Sequence, residues 1–340
     1  MERVVFVTQQ VDPAHPNLGA AVGMIRALAE RVDEVVVLAL SPERGALPEN
    51  CTVHTFGAPN QPLRGARFAG ALVPELRRRP RALIAHMSPI YAVLAAPLCR
   101  PLGIPVVLWF THWRDSRTLR LAERLSSVVA TVDRTSFPFP SAKLAPIGHG
   151  IDVAGLPCRP APAGEALHAL ALGRTSPAKG LEALIAGVRL ARERGTAVEL
   201  EIRGPSETGE ELAHRRRLLE LAGDGVRVEE AAAHSELPAL FARTDLVVNA
   251  AAPGSLDKSV FEACASCVPV LASNPGFASL LPPELTFTRG DVNEIAQRIE
   301  AFAARDAADR AALGHELRRR VEAEHSTEHW ADAILRLAVR

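Results

Sequence analysis

Runs of consecutive apolar residues alternate along this chain with stretches whose apolar positions return every three or four residues. An unbroken apolar run reads as a strand covered on both faces, and the longer spacing reads as a helix with one buried side. "RVVFVT" (3–8) is the first strand; a polar loop, "QQVDPAHPNLG", leads to the helical "AAVGMIRALAERV" and then to the strand "EVVVLAL". The alternation continues through "RALIAH" (81–86), a helix reaching Ala95, "IPVVLWF" (104–110), a helix over 119–125 and "SVVATV" (127–132). Between 153 and 166 it lapses into "VAGLPCRPAPAGEA", whose Pro, Gly and Ala content marks a linker. A second series follows, with strands at 167–174, 197–204, 226–230, 245–250 and 268–273 and helices between them. Helices over 291–304 and 306–324 come next, and "TEHWADAILRLAVR" closes the chain. Solidly apolar strands alternating with helices predict parallel sheets covered on both faces. The expected architecture is α/β, with two Rossmann-like α/β/α domains, 1–155 and 165–325, facing across a cleft. Chemistry belongs in the loops at the carboxyl ends of the strands.

Length supports two domains, since 340 residues exceed the roughly 250–300 that one hydrophobic core sustains. Charge is balanced overall, at 39 basic and 39 acidic residues, but residues 1–155 hold 17 basic and 12 acidic. That excess suits an anionic acceptor or lipid facing the first domain, and equally a scatter of surface charge. The five cysteines are odd in number; Cys264 and Cys267 have C-x-x-C spacing without a second ligand pair, which argues against zinc. They read as small buried residues on one helix face. The chain opens directly on a strand, without signal-peptide architecture, and no run approaches 18 apolar residues. A soluble protein of a reducing cytosol is expected.

Five segments carry candidate chemistry. In "LGRTSPAKGLEALIAG" (172–187), Gly173 ends a strand, and Arg174 and Lys179 flank the start of a helix. Two cations at a helix N-terminus suit a diphosphate, although both also read as solvated loop charges. In "GSLDKSVFEACASCVPVLAS" (254–273), Ser255 or Asp257 can cap a helix carrying Glu262 among small residues. A carboxylate there suits the two hydroxyls of a ribose; a Lys258–Glu262 pair four residues apart is the plainer alternative. His112 stands at the carboxyl end of the strand in "WFTHWRD", and Gly19 follows the first strand, where a glycine admits close approach of backbone to a ligand. "IGHGIDV" (147–153) places His149, Gly150 and Asp152 at the domain junction, where turn chemistry accounts for it as well as function does.

Taken in order, these segments resemble the family 4 glycosyltransferases, retaining nucleotide-sugar enzymes of GT-B fold. "GHGID" is similar to the family's N/H-G-V/I-D junction and "LGRTSPAKG" to its G-R-x-x-x-x-K-G loop. "FEACASCVPVLAS" is similar to its E-A-x-A-x-G-x-P-V-V-A-[ST] segment, and the strand bearing His112 to that of bacterial members acting on cell-surface saccharides. The resemblance implies that Arg174 and Lys179 stabilise the departing nucleoside diphosphate, where negative charge develops. It further implies that Glu262 binds ribose, that backbone N–H groups of Leu256, Asp257 and Lys258 meet phosphates or sugar, and that Gly19 and His112 contact the donor. Gly173 and Ser255 fall in the same donor-binding loops. No metal and no cofactor are implied; the donor is a UDP- or GDP-hexose, UDP first. The segment 326–340 is expected to form a C-terminal helix packing back toward the first domain.

Two departures stand out. The family's E-x7-E pattern places a carboxylate where this chain has Gly254, and Cys267 replaces the glycine of the A-x-G-x-P turn. Donor-sugar identity is therefore left open, as is the acceptor: a saccharide, a lipid-linked saccharide or a small molecule, with no role for nucleic acid. The loop 9–18 with His15 and the region of Arg64 and Arg67 are candidates for holding it. "RGARFAGALVPELRRRPR" reads either as a basic amphipathic helix at the inner face of a membrane or as a solvated face. A 2-epimerase-like isomerase and a non-catalytic sugar-nucleotide binder are the alternative functions.

Overall fold

The computed structural model describes residues 2–338 apart from 16, 17, 43, 44, 46, 159–163, 165 and 255. It divides into two units: an N-terminal one, up to Asp152 together with the segment from Glu324 onward, and a C-terminal one, Val153–Ala323.

In the N-terminal unit the chain runs β1 (Arg3–Thr8), α1 (Ala20–Ala29), β2 (Glu34–Ala39), β3 (Cys51–Thr55), α2 (Gln61–Arg77), β4 (Ala82–His86) and α3 (Pro89–Cys99). It continues with β5 (Val106–Trp109), α4 (Arg117–Leu125), β6 (Val128–Thr131) and β7 (Leu144–Pro146). The seven strands are parallel, in the order β3-β2-β1-β4-β5-β6-β7. Two of them, β3 and β7, escape the apolar-run signal because they are edge strands with half-exposed side chains. One face of the sheet packs under α2, α3 and α4, with Phe56 edge-on to both Phe68 and Tyr91.

The other face receives α1 and the last helix of the chain, α11 (Thr327–Leu337). Trp330 of α11 is fully buried against Phe6 and Trp109. The return is pinned by backbone bonds from Ile151 N to His325 O (2.7 Å) and from Thr327 N to Ile151 O (2.8 Å). A side chain at Gly148 would lie 1.8 Å from Glu324 O, so this crossing accounts for a glycine in "GHGID". His149 is buried there and Asp152 packs on Gly23.

The C-terminal unit holds β8 (Leu167–Leu172), α5 (Leu181–Glu193), β9 (Val198–Arg203), α6 (Gly209–Leu221), β10 (Val226–Glu229), α7 (Leu237–Phe241) and β11 (Leu246–Asn249). Then come α8 (Lys258–Ala265), β12 (Val270–Ala272), α9 (Val292–Ala303) and α10 (Ala307–His325). Its five strands are again parallel, in the order β10-β9-β8-β11-β12. Strand order reverses beside β8, so the loops after β8 and β11 open at the same switch point, where ligands of such sheets bind.

One expectation is corrected. Cys264 is buried in α8, but Cys267 lies beyond it, in the turn before β12, with φ +60°. It is disulfide-bonded to Cys158 of the supposed linker rather than packed as a core thiol.

Candidate functional site

The loops after β8 and β11 are tied together. Ala252 N donates to Ala178 O (2.8 Å), and Ser259 Oγ donates to Leu172 O (3.2 Å). These bonds bring Gly173, Arg174 and Lys179 beside the N-terminal end of α8, so residues about 80 positions apart share one site. Lys179 Nζ lies 2.6 Å from both carboxylate oxygens of Asp257, which also accepts from Asn249 Nδ2 (2.7 Å). Asp257 occupies the N-cap position of α8 without its side chain capping the helix. Its carboxylate is drawn instead to the ammonium, the stronger, charge-assisted partner. Ser255, the other candidate cap, lies outside the described residues.

Arg174 is held from the opposite side. Its Nη1 sits 3.3 Å from Glu211 Oε1, while Oε2 of the same buried carboxylate accepts from the backbone N of Glu207 and Thr208. Thr208 and Glu211 form a capping box on α6, so the helix start that folds locally also presents a carboxylate to Arg174.

Glu262 is buried on α8, with one oxygen, Oε1, accepting from Lys258 Nζ at 2.5 Å and from His234 Nε2 at 2.9 Å. Burial alone would push this carboxyl up, but the Lys258 ammonium and His234 outweigh it and hold it at about 2. The plain i,i+4 pair is therefore present, and His234 completes it. Sequence reasoning passed over His234, Asn249 and Glu211. The signal for His234 was its place in the loop after β10, the same rule that drew attention to His112.

Gly254 has φ +145°, a conformation that disfavours a side chain, so the loop geometry itself differs from one carrying a glutamate there. Leu256 is buried. In the N-terminal unit, Gly19 has ordinary helical dihedrals (φ −55°) at the start of α1, so no unusual backbone explains it. His112 is half-buried after β5, accepts from Arg114 N at 2.9 Å and stacks on the exposed Trp113. Arg64 and Arg67 donate to carbonyls of Ala58 and Gly57, which holds both against the loop before α2. Among the described residues, no helix is long and apolar enough to cross a membrane.

Three cations are each paired with a carboxylate in the loops at this switch point: Lys179 and Lys258 at the start of α8, and Arg174 with Glu211 at the start of α6. The arrangement can bind an anion that displaces those carboxylates, next to a buried ionised glutamate. Residues 183–336 match the family model described as Glycosyl transferase-like, a stretch that begins inside α5 and includes Glu262. No curated protein sequence matches the chain.

Several solved structures share the fold over nearly the whole length. Sucrose-phosphate synthase from Thermosynechococcus elongatus is 17% identical, with TM-score 0.72 over 99% of this chain and 98% of that one. HepE of Anabaena, solved with UDP and glucose, is 18% identical, with TM-score 0.74 over 98% of each chain. A glycosyltransferase from Rickettsia africae is 12% identical, with TM-score 0.75 over 99% of this chain and 97% of that one. The protein has the GT-B fold, and its C-terminal half is similar to the glycosyl transferase-like family model.

Proposed function

We propose that the protein is a retaining glycosyltransferase that moves a hexosyl unit from a nucleoside-diphosphate hexose to an acceptor hydroxyl. The observation that carries this reading is Lys179 paired with the N-cap residue of α8, in the same β8–α5 loop as Arg174, with Glu262 ionised within that helix. A departing nucleoside diphosphate gains negative charge as the glycosidic C–O bond breaks, and preorganised cations lower that barrier. Glu262 accepts from the ribose hydroxyls, and the donor diphosphate competes with Asp257 for Lys179. UDP is the first choice of nucleotide because HepE, of the same fold, was solved with UDP and glucose. His112 and Gly19 are assigned to the donor on the family resemblance, and a saccharide, lipid-linked saccharide or small molecule is the acceptor, on the cytoplasmic side.

A second reading, a sugar-nucleotide binder without turnover, is favoured by two observations. Lys179 is fully engaged by Asp257, and no carboxylate stands at position 254. Incubation with UDP- and GDP-hexoses, with and without acceptors, separates the two. Acceptor-stimulated release of nucleoside diphosphate supports the transferase. Tight binding without release supports the binder, and an epimerised sugar nucleotide without acceptor would overturn both.

A further inference from the structure

Away from the donor site, three segments of the C-terminal unit converge on a sulfur pair. Cys158, just before the stretch 159–163, is disulfide-bonded to Cys267, with Cα atoms 5.1 Å apart, an ordinary separation for such a bond. His315 of α10 brings Nδ1 to 3.4 Å from Cys267 Sγ and 3.9 Å from Cys158 Sγ.

The surroundings are built to hold this geometry. Arg318, one turn along α10 from His315, donates to the carbonyls of Val153, Leu156 and Ala265. One guanidinium thus clamps the Cys158 segment to the end of α8 independently of the disulfide. Helix α10 comes so close that a side chain at Gly314 would lie 2.1 Å from Cys267 O. Cys267 itself holds φ +60°, where a glycine would be unstrained. A cysteine kept in a glycine's conformation, aligned with a second cysteine and an imidazole, calls for a use of its sulfur.

The site is accessible. Both cysteines are half-buried, His315 is exposed, and all three line a cavity of about 830 Å³. Arg305, Arg310, Asp245 and Glu300 also line it, so its wall offers both signs of charge. Two of the three remaining cysteines contrast with this pair: burial pushes the Cys99 thiol up to about 12 and raises that of Cys264 as well, which leaves both inert as nucleophiles.

We propose that Cys158–Cys267 is a reversible thiol–disulfide site, opened and closed by a small zwitterionic thiol of the peptide type entering this cavity. The thiolate attacks Cys158 Sγ, and the S–S bond breaks. The electron pair passes to Cys267 Sγ, whose developing charge is met by the N–H of His315. A second thiolate attacks the mixed disulfide at the small molecule's sulfur, releasing Cys158 as thiolate and a small-molecule disulfide. The two protons of the two thiols end on the two cysteines, and the reverse sequence closes the bond. A rate set by leaving-group stabilisation is the expected consequence. Cys158, Cys267 and His315 also bring three candidate metal-ligand atoms together, so zinc binding is the competing outcome of the test.

The test uses the full chain equilibrated in glutathione buffers of varied reduced-to-oxidised ratio, quenched by alkylation and mapped by mass spectrometry. Cys158 and Cys267 are expected to convert together, while Cys51 is alkylated throughout and Cys99 and Cys264 stay protected until unfolding. His315→Gln is expected to slow reductive opening roughly three- to tenfold. Cys267→Gly, which suits the backbone at that position, is expected to fold and to leave Cys158 alkylatable in every buffer. Independent alkylation of the two cysteines would overturn the proposal. So would one zinc ion per chain protecting both, or opening at an unchanged rate in His315→Gln. None of these readouts depends on glycosyl transfer.

Discussion

At the scale of single residues, each cation of the candidate donor site is already paired, so a ligand must compete for it. Lys179 is the sharpest case, held between both oxygens of Asp257. If it stabilises the departing diphosphate, Lys179→Ala should raise the barrier to turnover by about 2–4 kcal/mol in steady-state kinetics. An unaltered kcat would remove Lys179 from the mechanism. Asp257→Asn keeps the shape and removes the competing charge, so calorimetry should find nucleoside diphosphate bound up to about tenfold more tightly. Weaker binding in that variant would mean that the carboxylate contributes to the ligand directly. Glu262→Gln should lose affinity for the nucleoside diphosphate; retained affinity would reduce Glu262 to a partner of Lys258 and His234.

At the scale of elements, α6 and α8 connect local folding to the site. Glu211 closes the capping box of α6 and holds Arg174 with its other oxygen. Glu211→Ala should therefore destabilise the C-terminal unit by roughly 1–2 kcal/mol through the lost cap. It should also change the kinetics of the donor step, which a cap with no functional tie would leave alone. The loop before α8 behaves differently from a simple loss of a glutamate. Because Gly254 has φ +145°, Gly254→Glu should cost about 1–3 kcal/mol in thermal denaturation without raising activity. A gain in turnover would mean that the loop relaxes to accept the side chain.

At the scale of the whole molecule, the response of the N-terminal unit to acid should begin at higher pH than that of the C-terminal unit. His325, in the N-terminal unit, is held neutral to about pH 3, first by burial and then by His149 and His329, against the opposing pull of Asp133. Its unfolded form takes up a proton near 6.5, so stability present above that pH declines as pH falls from 6.5 toward 3. The slope is at most about 1.4 kcal/mol per pH unit. Glu262, in the C-terminal unit, is depressed from 4.5 to about 2, so its contribution is full above 4.5 and lost as pH falls from 4.5 to 2. Urea midpoints measured between pH 7 and 5 should fall in the wild-type chain and fall less in His325→Gln. Equal slopes in both would show that His325 does not carry the effect.

Much of this was written in local pattern. The apolar runs at 3–8, 34–40 and 245–250 specify buried strands because a strand covered on both faces has no polar side to display. Strand–helix alternation then makes both sheets parallel, and the loops after β8 and β11 are marked for chemistry by their place at strand ends. Edge strands such as β3 were illegible, since half-exposed residues leave no unbroken run. The partners of the site residues were equally illegible. That Lys179 meets Asp257, that His234 joins Glu262 and that Cys158 reaches Cys267 depends on loops brought together from separate strands. Local spacing determines which elements form; only the packed sheet decides which of their ends become neighbours, because those contacts span tens to over a hundred residues and no short-range period encodes them.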